Sequence, residues 1–158
     1  MNALIDYRPL QTVDSNQFSR EVMDLWEKTL AETFPLIKDL WYRQVMNSIH
    51  TDRERSFVAY HEKRAVGFII VKRCQEPISF GGIQKDHYWL SCVLVDPQFQ
   101  RLGIGSTLIQ CVQATIAPPA TISVGSDLDH LFPGIPAENK ACRAFFRSQG
   151  FIEEGDAY

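Results

Sequence analysis

The chain has 158 residues, 45% of them hydrophobic and 22% charged, which suits one ordinary globular domain with a sizeable core. Sixteen Lys and Arg against nineteen Asp and Glu leave a net charge of −3, so there is no global pull toward nucleic acid or anionic lipid, and any anion site must be local. The start, MNALIDYRPL, lacks the basic segment and apolar core of a secretory signal, and no apolar run is long enough to span a bilayer. The expectation is a cytoplasmic protein with no membrane or nucleic-acid partner.

In chain order, IDYRPLQ reads as a first strand. Asp14 or Ser15 then caps a helix whose apolar stripe, Phe18, Val22, Leu25, Trp26, Leu30 and Phe34, recurs at helical steps until Pro35 ends it. Leu40, Trp41, Val45 and Ile49 predict a second helix ending near His50. SFVAYHEKRAVGFIIVKRC supplies two β-rich runs joined at EKRA, an antiparallel hairpin. DHYWLSCVLVD is a further strand, apolar on both faces toward its end and therefore central in the sheet. It breaks at Asp96-Pro97 and restarts, through Gly103 and Gly105, as a helix marked by Ile104, Leu108, Cys111, Val112 and Ile116. Pro118-Pro119 stops that helix, and ATISVGS follows as a buried strand, so the crossover from 88 to 126 sets two strands parallel. DLDHLFPGIPAE is a loop with Pro133-Gly134 suited to a type II turn. The last helix runs from Asn139 to Gln149, with Gly150 at a left-handed cap. Cys74, Cys92, Cys111 and Cys142 are widely spread with no Cys-x-x-Cys pair, and read as reduced core residues rather than disulfide partners or zinc ligands.

The glycine turn carries the chemistry. Glycine at a strand-to-helix junction lets backbone approach a bulky ligand, and the first N–H groups of the new helix have no partner within it. A row of amides from Gln100 to Ser106, at the positive end of a helix dipole, suits a phosphate without several lysines. Gly103 and Gly105 keep side chains out of the way, and Arg101 adds a charge-assisted contact. A Walker-type loop is excluded by the missing Gly-Lys-Ser/Thr, and a Rossmann unit is disfavoured because hairpin and long strand precede the turn.

Gln100-Arg101-Leu102-Gly103-Ile104-Gly105, preceded by VLVDP, resembles the Gln/Arg-x-x-Gly-x-Gly/Ala signature of the GNAT superfamily of acyl-CoA-dependent N-acetyltransferases. NKACRAFFRSQGF resembles the Asn-x-x-Ala-x-x-Leu-Tyr-x-x-x-Gly-Phe helix of the same family, and the order of elements is similar over nearly the full chain. FPGIP looks like a loop of a bacterial GNAT subgroup. The resemblance implies an α+β GNAT fold over residues 1–158 as a single domain, with a mixed central sheet and helices on both faces. It implies acetyl-CoA, or a close acyl-CoA, as acyl donor, no metal, and a small-molecule or peptide amine as acceptor that attacks directly. Cofactor contacts then come from Val93, Leu94 and Val95 to the pantetheine arm, and from Gln100, Arg101, Leu102, Gly103, Ile104, Gly105 and Ser106 to the pyrophosphate. Asn139, equally readable as a helix cap, and Phe146 complete the set. The thioester ends beside Cys92 to Leu94, its oxyanion held by a strand N–H near Leu94.

For the general base, ligands collect at the carboxyl ends of parallel strands, which points to the loop after the second of them. His130 has the suitable intrinsic pKa and Asp127 can orient it, with Asp129 and Glu138 on the same loop; His87 and Tyr88 come next. Phe132 and Ile135, or Phe34, Pro35 and Trp41 between the first two helices, are the expected acceptor walls. The sequence departs from the family pattern twice. Phe146 stands where many relatives have a proton-donating tyrosine, and only IEEGDAY follows Gly150-Phe151 where a closing hairpin is usual. These departures motivate an alternative, a non-catalytic acyl-CoA-binding module within a longer chain, and an open strand edge that invites a homodimer.

Overall fold

The computed structural model describes residues 4–29, 38–73, 87–124 and 140–152. Its strands are Asp6–Pro9 (β1), Phe57–His61 (β2), Arg64–Arg73 (β3), His87–Val95 (β4) and Thr121–Val124 (β5). They form one sheet in the order β1-β2-β3-β4-β5, antiparallel except for the parallel β4–β5 pair. The helices are Ser15–Thr29 (α1), Lys38–Trp41 (α2, continued by a wider turn over Tyr42–Met46), Ile104–Ala114 (α3) and Lys140–Ser148 (α4). None of the described helices is long and apolar enough to cross a membrane.

Asp14 starts α1, its Oδ1 accepting from the N–H groups of Asn16 at 2.9 Å and Gln17 at 3.2 Å. These amides have no partner within the helix, so Asp14→Ala is expected to cost about 1 kcal/mol. The loss should appear as a lower urea midpoint at unchanged slope. Phe18, Val22, Leu25 and Trp26 of α1 are buried as their spacing requires, and Leu30, Phe34 and Pro35 lie outside the described residues. Beyond α2 the helical stripe fails. The turn ends at Met46, and Ile49 is 56% exposed instead of buried, because Asn47 has left helical geometry with φ −102° and ψ 1°.

The sheet is apolar on both faces because helices cover both. One core gathers Leu10, the α1 stripe, Trp41, Val45, Val58, Phe68, Ile70, Cys92 and Leu94; the other gathers Val66, Ile69, Val71, Tyr88, Leu90, Ile104, Leu108, Val112 and Phe146. The strands exchange faces at two bulges. Ala59 pairs with Gly67 and Tyr60 with Ala65, leaving Val66 extra; Ile70 pairs with Cys92 and Val71 with Leu90, leaving Ser91 extra. An extra residue shifts the period-two alternation by one. Thus β4 buries Tyr88 and Leu90 on the α3 face but Cys92 and Leu94 on the α1 face. Lys72, fully buried on β3, donates from Nζ to the Gln44 carbonyl at 2.6 Å.

At the other end of the chain, α4 closes as Gly150 predicts. Gly150 has φ 94°, its N–H donates to the Arg147 carbonyl, and the Phe151 N–H donates to the Phe146 carbonyl at 3.1 Å. Phe151 packs edge-on against Phe146, the apolar contact that accompanies this kind of helix end.

Candidate functional site

The site begins where β4 ends. The Asp96 N–H donates to the Val66 carbonyl at 2.8 Å, and its buried carboxylate accepts from the Gln98 N–H at 2.9 Å. Two cations flank that carboxylate, Lys28 Nζ at 3.5 Å and the Arg64 guanidinium at 3.7 Å. Pro97–Phe99 form a single tight turn, and Gln100 Nε2 reaches back to the Val95 carbonyl at 3.1 Å. Phe99 is held by His61, ring to ring at 5.1 Å, and by Arg64 above its face. The turn is therefore braced from β2, β3 and α1 at once.

Arg101 and Gly103 are left-handed, with φ 66° and 82°, immediately before α3. A left-handed residue followed by right-handed helix turns successive N–H groups into one concavity, an arrangement suited to anions. No side chain caps the helix at Gly103, and a Cβ there would meet nothing within 4 Å. The mouth of the turn is open. Gly105 is small for a further reason: a Cβ on it would lie 3.0 Å from the Phe145 ring of α4. Both glycines are expected to clear a path for a ligand, and the second also makes room for a helix. Ser106 adds to that docking by accepting from Gln149 Nε2 at 2.8 Å. Leu102 is exposed and the Ile104 side chain belongs to the core.

The register of β4 decides which main-chain groups are available. Bonded pairs recur at every second residue of an antiparallel ladder. Since Asp96 bonds to Val66, Leu94 and Cys92 turn their amides toward β3, and Val93 and Val95 turn theirs to the opposite edge. The Val95 carbonyl, taken by Gln100 on that edge, agrees. Of the amides next to Leu94, those of Val93 and Val95 are therefore the ones on the edge away from β3. The described β4–β5 pairing covers His87–Leu90 and Thr121–Val124, and β4 runs five residues further from the Ser91 bulge to Val95. Ser91 Oγ is buried there without a hydrogen-bond partner.

The remaining predicted residues divide. His130, Asp127, Asp129, Glu138, Asn139, Phe132 and Ile135 lie outside the described residues, as do Phe34 and Pro35. Trp41 does not line a groove; it is fully buried edge-on to Phe18 and Phe68. Phe146 is buried between Phe145 and Phe151. Tyr88 sits on the α3 face between the guanidinium groups of Arg55 and Arg73. His87 faces the other way, stacked on Trp89 at 4.2 Å and 9°, with Nε2 2.7 Å from Ser123 Oγ. Ser123, which the sequence does not mark as functional, becomes visible only through the β4–β5 register. Burial pushes the thiols of Cys111 and Cys142 up from their ordinary range, which suits unreactive packing residues. An open groove of about 420 Å³ is lined, among the described residues, by Asp24, Glu27 and Lys28 of α1.

The strand before the turn, expected to be central, is the fourth of five, between β3 and β5; a mixed sheet with an open amide turn between the end of that strand and the next helix defines an acyltransferase-like architecture. The sequence profile of the acetyltransferase (GNAT) domain matches residues 52–153, and the chain belongs to that family. No curated protein sequence matches it. Among solved structures, the glucosamine N-acetyltransferase region of a fungal multi-domain β-N-acetylglucosaminidase is similar at 20% identity and TM-score 0.79, over 98% of this chain and 18% of that one. The present chain thus spans under a fifth of that fungal protein. The aminoglycoside N-acetyltransferase AAC(6')-Iy in complex with CoA matches at 18% identity and TM-score 0.60, over 98% of this chain and 96% of that one. A ribosomal-protein alanine N-acetyltransferase from Escherichia coli matches at 16% identity and TM-score 0.65, over 96% and 80%. At these identities the likeness is one of fold.

Proposed function

We propose that this chain moves an acetyl group from acetyl-CoA to a primary amine by direct attack, as one domain over residues 1–158. The observation that carries the reading is the open left-handed turn at Gly103, continuous with the outward-facing amides of Val93 and Val95, in a member of the GNAT family. Acyl-CoA supplies the electrophilic thioester. The amides from Gln100 to Ser106 bind its diphosphate, Arg101 adds a direct charge, and Val93 donates to the acyl oxygen as negative charge develops. The groove beside Asp24, Glu27 and Lys28 carries one net negative charge among these residues, which supports an acceptor carrying positive charge. Solved neighbours named for acting on aminoglycosides and on a protein alanine support an amine acceptor, and one is bound to CoA. The FPGIP segment supports a place in the bacterial subgroup with that loop.

One observation favours a second reading, a non-catalytic acyl-CoA-binding module. Phe146 occupies the family's acid position, is buried among aromatic rings and has no proton to give. Two measurements separate the readings. CoA at about 100 times its Kd is expected to add about 2.7 kcal/mol of stability in either case. Only the enzyme releases free thiol from acetyl-CoA when offered a panel of polyamines, amino sugars and peptides. Stabilisation with no thiol from any acceptor would establish the module, and no stabilisation would remove both.

A further inference from the structure

His87, Trp89 and Ser123 lie together on the α1 face of the sheet, on the two parallel strands just before they part. Trp89 is in register with Ser123 on β5 and with Lys72 on β3, so the three share that face. The His87 ring lies flat on Trp89, and its Nε2 is 2.7 Å from Ser123 Oγ. His87, Trp89 and Ser123 are all partly exposed, unlike Cys92 and Leu94 beyond the bulge. Cys92, where the thioester is proposed to end, pairs with Ile70 while Trp89 pairs with Lys72, so across the Ser91 bulge the two lie two strand steps apart, roughly 7 Å at 3.3 Å per residue. That span fits an attacking amine and one water.

We propose that Ser123 Oγ relays the proton of the acceptor amine to His87 Nε2, so that the base of the reaction lies on the paired strands and not on the loop after β5. The inference rests on the acetyltransferase reading. In the step, the amine nitrogen bonds to the acyl carbon and the carbon–sulfur bond breaks. The electron pair leaves on sulfur as thiolate, the amine proton passes through the water to Ser123 Oγ, and the serine proton moves to His87 Nε2. The imidazolium then returns a proton to solvent, from which the thiolate is protonated. Ser123 touches the acceptor side; His87 acts through it, and Trp89 fixes the ring plane. Among the described residues, the charged group in register on this face is the Lys72 ammonium of β3, which is buried and donates to the Gln44 carbonyl.

The test is the pH profile of kcat/KM for thiol release by the full chain, with CoA binding measured alongside. An amine protonated across the range gives a slope of one, and a base adds a second unit below about pH 6.5, the ordinary imidazole value. His87→Gln, which retains a polar partner for Ser123, is expected to lose the second unit and about a hundredfold in kcat at neutral pH, with CoA affinity unchanged. Ser123→Ala should match it, and Ser123→Thr should restore most of the rate. Wild-type slope and rate in His87→Gln would overturn the relay, as would loss of the limb in His130→Ala alone. A wild-type chain that acetylates no amine overturns the enzyme reading and the relay with it.

Discussion

Replacing Trp41 by alanine is expected to destabilise the chain by about 4 kcal/mol, near the middle of the range for truncating a fully buried large aromatic. Trp41 is completely enclosed, meeting Phe18 and Phe68 edge-on with ring centroids 6.0 and 5.8 Å away, while its Nε1 donates to Ser19 Oγ at 3.2 Å. Alanine removes the transfer energy of the indole, leaves a void where three rings meet, and deprives buried Ser19 of its donor. Against a total stability of about 5–15 kcal/mol this is a large share. Urea unfolding monitored by far-UV circular dichroism reads the loss directly, and the melting temperature should fall by roughly 10 °C. A loss under 1 kcal/mol would mean that the short helix around Trp41 is not docked on the sheet as described.

Gly103→Val is expected to weaken CoA binding at least about a hundredfold, which is about 2.7 kcal/mol. Gly103 has φ 82°, where a β-branched residue is strained by about 1–2 kcal/mol. Nothing stands within 4 Å of the position, so the fold has room for the new side chain while the ligand does not. The valine methyls would occupy the concavity that the amides line, and any relief of the strained φ would turn those amides away. Calorimetric titration with CoA and a thermal melt of the unliganded variant separate the effects: affinity should collapse while the melt shifts by a few degrees. Full affinity in a folded Gly103→Val protein would remove the diphosphate site.

What the sequence discloses and what it conceals follow from the range of the interactions. The α1 stripe as far as Trp26, the Asp14 cap, the hairpin and the Gly150 helix end are local patterns of period or dihedral, and each appears in the structure where the residues place it. The bulge at Ser91 is different. One extra residue in a strand apolar on both faces leaves the composition unchanged, yet it decides that Cys92 faces α1 while Leu90 faces α3. The choice between Leu94 and Val93 as amide donor depends on the bond from Asp96 to Val66, thirty residues apart in the chain. Trp41 has helical spacing that is compatible with a groove wall or a core, and only its neighbours Phe18 and Phe68 decide for the core. Ser123 looks like an ordinary small strand residue until β5 is set beside β4. Of the glycine signature, the strand-to-helix junction at Gly103 is legible, whereas its left-handed φ and the packing of Gly105 against α4 needed the structure.

Gly105 and Phe145 therefore form a matched pair of opposite sizes, one on each of two helices that are forty residues apart in sequence. A bulkier residue on one side is tolerable only if the other shrinks. Among relatives, substitutions at these two positions should accordingly arrive together, and a double exchange that swaps small for large should preserve the helix contact that either single exchange disrupts.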